Sequence, residues 1–219
     1  NLEDCKTVKE DIKNYLKEAL KLELSDEKTL ITNAQKPAKF LGFDIFIRRS
    51  NDLRKDINGK TIRSLGHVPV LYLNYETMRK KLFDYKAARI AVENGKEIWK
   101  SIVRTYMIDL DDLEIVSQFN AEIRGFYNYY SIANNSPAIN SFYHIMSYSM
   151  YKTFARKYKS SVKKILFQYK KDGTFKVAYE NSKGKTLYQS FYHDGFKRKK
   201  IAGATSCDTI PRTVTITGG

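Results

Sequence analysis

Apolar residues recur at helical spacing in five stretches of the chain. Over residues 6–22, Val8, Ile12, Tyr15, Leu16, Ala19 and Leu20 share one face while Lys and Glu fill the other, which predicts an amphipathic helix. Over 75–94, Tyr75, Met78, Leu82, Tyr85, Ala88 and Val92 mark the core side of a second helix, and Asn94-Gly95 supplies a stop signal. Over 111–135, Ile115, Phe119, Ile123, Phe126, Tyr127 and Tyr130 define a third. Asp111 with Glu114 three residues on opens it in the form of a capping box, and Asn134 and Asn135 end it. Ser136 as N-cap and Pro137 at the first helical position start a fourth, burying Ile139, Phe142, Tyr143, Met146, Met150 and Phe154. The short link between these two predicts antiparallel packing. Residues 161–169, through Val162, Ile165, Leu166 and Tyr169, form a shorter fifth helix.

Between the helical stretches lie short β-prone runs. Residues 29–32 (TLIT) and 39–47 (KFLGFDIFI) read as the two strands of a hairpin, with Gly42 marking a bulge or a close backbone approach. Residues 48–67 are basic around a tight turn at Asn58-Gly59, and 68–73 (VPVLYL) are apolar. Asp172-Gly173 and Lys183-Gly184 punctuate two further strands, 174–179 and 186–192. The expected fold class is mainly α with minor β, an α+β chain. Its expected parts are an N-terminal helix and hairpin (1–48), a basic connector (49–74), a three-helix bundle (75–160), a basic β and loop extension (161–200) and a linker (201–219).

Charge changes this picture by pointing to a partner. The 219 residues carry 39 Lys and Arg against 24 Asp and Glu, a net +15, with a pI near 9.6. Residues 1–35 hold six Lys and eight acids, and 105–151 hold one Arg and five acids. Residues 152–200 hold fifteen Lys and Arg against three acids. A solubilising charge is spread out, so this concentration predicts a polyanion partner. Lysines interleaved with Tyr and Phe, without a strong amphipathic moment, favour nucleic acid over a membrane. Cys5 and Cys207 are isolated, which suits a reducing cytoplasm. No apolar run is long enough to span a bilayer, and the N-terminus lacks signal-peptide features. Both ends read as cut from something longer.

Around the third and fourth helices, Arg124, Asn128, Tyr129, Tyr148, Lys152, Arg156 and Lys157 add groups that stack on bases or pair with phosphates. Enzyme chemistry is sparse. His67, His144 and His193 are isolated, and no metal-ligand spacing or phosphate-binding glycine loop occurs. Asp111-Asp112 is the only adjacent aspartate pair, and its place at a helix start assigns it to capping.

Two strings carry a resemblance. Arg124-Gly125-Phe126-Tyr127-Asn128-Tyr129-Tyr130 and Tyr151-Lys152-Thr153-Phe154-Ala155-Arg156-Lys157 resemble the maturase-specific region, or domain X, of group II intron reverse transcriptases, which is the polymerase thumb. Leu24-Ser25-Asp26-Glu27-Lys28-Thr29 and Phe40-Leu41-Gly42-Phe43-Asp44-Ile45 resemble the sixth and seventh conserved blocks at the end of the palm, the seventh forming the primer grip. The resemblance implies that Phe40, Leu41, Gly42 and Phe43 position a primer end. It implies RNA contacts from Lys28, Arg48, Arg49, Arg124, Asn128, Tyr129, Lys152, Thr153, Arg156 and Lys157, with Lys197, Arg198, Lys199 and Lys200 adding phosphate affinity. The implied partners are group II intron RNA, a template–primer duplex and, through a segment beyond this chain, target DNA. Such a parent polymerase uses paired carboxylates and Mg²⁺, but the Tyr-x-Asp-Asp string that carries one pair is absent, so this stretch alone is expected to be inactive and to hold no cofactor. Alternatives are a stand-alone RNA-binding or splicing-factor module, the thumb of a retron-like reverse transcriptase, and a scaffold whose aromatics make a protein interface.

Overall fold

The computed structural model describes residues 1–48, 53–63 and 68–199. The chain divides into two compact units, Asn1–Val70 and Leu71–Gly219. Among the described residues no helix is long and apolar enough to cross a membrane.

The first unit opens with α1 (Leu2–Ala19), capped by Asn1, whose Oδ1 accepts from the Asp4 amide at 3.0 Å. The apolar periodicity produces the helix but no cover for it. α1 buries no residue, and Val8, Ile12 and Tyr15 stay 54%, 48% and 62% exposed. The expected inward face is therefore a surface in this unit. What α1 does hold is the 25–28 turn, through Lys9 and Lys13 on the Asp26 carboxylate at 3.2 and 3.3 Å. The Lys9 and Lys13 hydrogen bonds keep that carboxyl below its ordinary range.

Residues 29–32 form no strand, contrary to expectation. Instead the run 39–47 folds on itself as β1 (Ala38–Phe40) and β2 (Phe43–Arg48), with Phe40 opposite Phe43. Leu41 (φ 49°) and Gly42 (φ 79°) form the two-residue turn. Positive φ at both positions matches the right-handed twist of the flanking strands, so Gly42 is a turn residue rather than a bulge. Pairing neighbours through two residues closes a smaller loop than reaching back to 29–32. β3 (Leu53–Lys55) and β4 (Thr61–Arg63) make a second hairpin around Asn58-Gly59, where Asp56 Oδ1 accepts from the Asn58 and Lys60 amides. β5 (Val68–Leu73) completes a sheet of order β1-β2-β5.

The second unit begins at Leu71, within β5, and its first helix is α2 (Tyr75–Asp84), capped by Asn74. It stops ten residues short of the expected end. Lys86 turns the chain at φ 51°, and residues 88–101 become a hairpin of β6 (Ala88–Glu93) and β7 (Lys96–Ser101). Asn94 (φ 52°) and Gly95 (φ 73°) are its turn, so the pair read as a helix stop is a hairpin signal. Trp99 lies in β7.

α3 (Asp112–Tyr130) and α4 (Ile139–Lys157) form the centre of the unit. Ile115, Phe119 and Ile123 of α3 and Phe142, Met146, Met150 and Phe154 of α4 are fully buried, as their spacing predicts. Phe126 and Phe142 stack across the pair at 4.3 Å. α2 adds buried Met78 and Leu82 to complete three helices. The link between α3 and α4 does different work from that expected. Asn134 and Asn135 act as side-chain partners for residues 71–73 of the same unit: Asn134 Oδ1 accepts from the Leu71 amide, and Asn135 both accepts from and donates to the Leu73 backbone, at 2.7 and 3.0 Å. Ser136 does not cap α4, whose start is a 3-10 turn over Ser136–Ala138. Its buried hydroxyl donates to the Phe196 carbonyl at 3.2 Å.

α5 (Val162–Tyr169) follows, capped by Ser161, and leads into a sheet of order β10-β9-β8 from β8 (Lys170–Lys171), β9 (Thr174–Glu180) and β10 (Thr186–Ser190). The mixed helices and small sheets agree with the α+β expectation.

The core contains one group that periodicity does not announce. Arg104 is 1% exposed, with Nη2 2.7 Å from Glu122 Oε2 and its guanidinium carbon 4.0 Å from the Phe119 ring centroid. A charge so far from water persists only when paired. Glu122→Ala is expected to cost about 3–5 kcal/mol in urea denaturation, because Arg104 is left buried without a counter-charge. Replacing both residues by Met should cost less than the single change. A single-variant loss below about 1 kcal/mol, the size of a surface pair, would contradict the assignment.

Candidate nucleic-acid interface

The surface of interest is built where α3 meets residues 191–199. On α3 the core positions are Ile123, Phe126 and Tyr130, so Arg124 and Asn128, four apart, face outward together. The 191–199 segment has no regular structure. It is held by its aromatic residues and by side chains reaching to its backbone. Phe191, Tyr192 and Phe196 are buried, and Tyr143 stacks on Phe191 at 5.5 Å. Asn120, itself 2% exposed, donates to the Ser190 carbonyl at 2.9 Å and accepts from the Tyr192 amide at 2.8 Å. Tyr127 donates to the Lys197 carbonyl at 2.7 Å, and the Lys199 amide donates to the Ser131 carbonyl at 2.8 Å.

The result is a shallow concavity bordered by Arg124, Asn128, Tyr192, Asp194 and Lys199. Lys199 Nζ donates to Asn128 Oδ1 at 3.3 Å and stands 5.1 Å over the Tyr127 ring. Arg198 Nε donates to the Ile132 carbonyl at 3.1 Å. Arg124 makes no ion pair among the described residues and lies 6.0 Å from the Tyr192 ring. Tyr129 is exposed next to Tyr130. Three of the expected residues, Arg124, Asn128 and Lys199, are thus brought together, while Lys197 is tethered by its carbonyl and Arg198 lies on the Ile132 carbonyl.

The α4 string is divided. Thr153 has no accessible surface: its hydroxyl accepts from the Arg104 amide at 3.0 Å and donates to the Ser149 carbonyl at 2.8 Å. The structure removes it from the RNA-facing residues, because a buried hydroxyl with both roles filled has nothing to offer RNA. Lys152 donates to the Ser101 carbonyl at 2.6 Å, and Lys157 to the Leu110 carbonyl and Asp112 at 2.6 and 2.7 Å. Both ammonium groups therefore tie α4 to its neighbours. Arg156 alone of the string is exposed.

In the first unit, Phe40 and Leu41 are 58% and 66% exposed at the hairpin tip, whereas Phe43 is buried beneath it. Arg48 ends β2 on the surface and Lys28 is exposed in the 25–29 turn. Arg49 and Lys200 lie outside the described residues.

Sequence reasoning misses two features. Phe167 of α5 is 93% exposed beside Lys163 and Lys164, one turn earlier on the same helix, and Lys171 lies 5.4 Å from the Tyr188 ring. By spacing alone these residues read only as parts of a short helix and of strands. Asp112 is the other. Asp111 caps α3, its amide donating to Glu114 at 3.2 Å, while Asp112 accepts from Lys157, Tyr158 and Tyr169, all within 2.8 Å. It joins the start of α3 to the ends of α4 and α5. Burial, before any other influence, raises the Tyr158 and Tyr169 hydroxyls, so both remain donors. This pair does not fit Mg²⁺: one carboxylate serves the helix and the other is taken by an ammonium and two hydroxyls. Among the described residues no cluster of three or more metal-ligand side chains occurs.

Asp112→Ala should destabilise the unit by roughly 2–3 kcal/mol in urea, the cost of stranding partly buried donors. A pH dependence also follows. Burial chiefly pushes Tyr151 up to about 12, with Tyr143 and Tyr148 adding to it, and Tyr192 also to about 12. Tyrosine ionises near 10 in an unfolded chain. The folded state therefore binds more protons above that pH, and this contribution is whole below pH 10 and lost as pH climbs to 12. Stability measured by denaturation from pH 9 to 12 should fall, and Tyr151→Phe should flatten the fall.

Residues 73–205 match the family model of the type II intron maturase. The chain is 39% identical over 184 residues to the group II intron-encoded protein LtrA of Lactococcus lactis subsp. cremoris, a match covering 84% of this chain and 30% of that protein. It is 34% identical over 168 residues to a putative COX1/OXI3 intron 1 protein of Saccharomyces cerevisiae, covering 71% of this chain and 19% of the relative. The chain thus spans less than a third of the curated relatives it matches. With more than half of its length within the family's own pattern, and with the strings at 124–130 and 151–157 inside that stretch, the chain belongs to the type II intron maturase family.

Proposed function

We propose that this chain holds structured group II intron RNA on the face formed by α3 and residues 197–199, and so supports the splicing-active fold of that RNA. The observation that carries the reading is the outward juxtaposition of Arg124, Asn128 and Lys199 on a framework fixed by buried aromatics, with Arg198 held further along on the Ile132 carbonyl. A guanidinium fork suits phosphate oxygens, an ammonium adds a point charge, and an amide between them can meet a 2′-hydroxyl. Tyr129 offers an exposed ring for an unstacked base. The family's bacterial relative is named as encoded by a group II intron, which supports the choice of RNA. The chain would hold the RNA and leave the chemistry to it.

The same reading gives the first unit a place at a template–primer duplex. A two-residue turn projecting Phe40 and Leu41, with no side chain at Gly42, would lie against a sugar-phosphate chain. The paired carboxylates and Mg²⁺ of such a polymerase would come from outside this chain, as would contacts to target DNA.

Binding through this face should be electrostatic, so affinity should fall steeply with salt. Arg124→Glu combined with Lys199→Glu should weaken binding of a structured group II intron RNA about tenfold or more in filter binding. The same double change should make the salt slope shallower by about one for each phosphate no longer neutralised. Lys6→Glu with Lys17→Glu on α1 changes net charge equally and is the comparison. If the two pairs of changes weaken binding alike, net charge alone is at work and the assigned face is wrong.

A further inference from the structure

A different face of α4 carries a second kind of site. β7 lays Trp99 against Tyr75 at the start of α2, with ring centroids 4.2 Å apart and planes at 27°. Between this pair and α4 lies a groove of about 540 Å³, open to solvent and bordered on the helix side by Asn140, His144 and Ile145. Glu97 stands on its border. Its Oε1 accepts from Arg79 Nε at 2.8 Å and from Trp99 Nε1 at 2.9 Å. Arg79 first, and Trp99 after it, hold this carboxyl below the ordinary range, so it is ionised at neutral pH. Oε2 has no hydrogen bond among the described residues.

The groove therefore combines flat aromatic walls with a charged, oriented carboxylate that can only accept. Arg79 offsets the charge that would otherwise repel a polyanion. The ligand that fits is a planar ring with adjacent N–H donors along one edge. Guanine offers N1–H beside its N2 amino group. Adenine and cytosine place a bare ring nitrogen, and uracil two carbonyls, next to their Watson–Crick donor, and each would set an acceptor against the carboxylate. We infer that the groove between Trp99, Tyr75 and His144 takes an unpaired guanine of bound RNA, stacked on the aromatic wall with its Watson–Crick edge on Glu97. The inference rests on the RNA-binding reading and gives it a base preference that the phosphate-directed face around Arg124 cannot supply.

Trp99 is the only tryptophan of the chain, so its fluorescence reports on this groove directly. The pentamers UUGUU, UUAUU, UUCUU and UUUUU are titrated into the full chain at constant salt. UUGUU should quench Trp99 at concentrations about tenfold below the other three, the lower end of the discrimination that a matched base-edge contact gives. Glu97→Gln should bring the four curves together, and Tyr75→Ala should weaken all of them. Equal quenching by the four pentamers, no quenching by any, or a guanine preference that survives Glu97→Gln would overturn the proposal. Salt dependence of intron-RNA binding, measured on the same unmodified protein, separates the two readings. A steep salt slope without guanine preference rejects the groove alone. A guanine preference without a salt slope supports the groove and rejects the phosphate face.

Discussion

Beyond Phe191, whose amide donates to the Phe175 carbonyl of β9, the chain up to residue 199 belongs to no strand or helix. Its position depends on side chains reaching from α3, α4 and the link between them. Asn120 brackets Ser190 and Tyr192, Tyr143 donates to the Tyr192 carbonyl, Ser136 to Phe196 and Tyr127 to Lys197. Buried peptide groups must be satisfied somewhere. Here the helices satisfy them, and the rings of Phe191, Tyr192 and Phe196 fill the groove left over. Without this arrangement Lys197, Arg198 and Lys199 would belong to a loose tail. With it they stand at fixed places beside Arg124 and Asn128, and a run of charge becomes a shaped surface.

This explains why the string at 124–130 has the composition it does. Phe126 and Tyr130 serve the core, Tyr127 holds the crossing segment, and Arg124 and Asn128 remain outward. The tyrosines are not one class. Tyr127 and Tyr143 act through their hydroxyls on backbone, Tyr158 and Tyr169 on Asp112, and Tyr75, Tyr129 and Tyr148 expose their rings. The charge of 152–200 also divides, since Lys152 and Lys157 are taken up by carbonyls and Asp112 while Arg156, Lys163 and Lys164 face solvent.

What can be read from the chain is whatever rests on local periodicity. α3 and α4 emerge with their buried faces because each is a long amphipathic run with a terminal signal. α2 reads too long because Asn-Gly serves both as a helix stop and as a hairpin turn, and only Ile90 and Val92 in alternation favour the hairpin. α1 is legible as a helix, yet spacing does not say what covers its face. Ser136 and Thr153 look like a cap and an RNA ligand because their types permit both, and tertiary partners decide otherwise. Arg104, Glu122 and Asn120 are invisible for the opposite reason: their pairings span 18 to 72 residues of chain and leave no local pattern. A polar Asn120 on an otherwise apolar stripe is the one available hint.

Amide hydrogen exchange across residues 190–199 and 124–131, with and without a structured group II intron RNA, tests most directly whether the helices fix this segment and present it to RNA. Slow exchange is expected at Tyr192 and Lys199 in the free protein, because both amides are bonded to α3 or its end. Added protection of 124–131 and 196–199 is expected when RNA binds. Rapid exchange at Tyr192 and Lys199 in the free protein, or RNA-dependent protection confined to other segments, would contradict it.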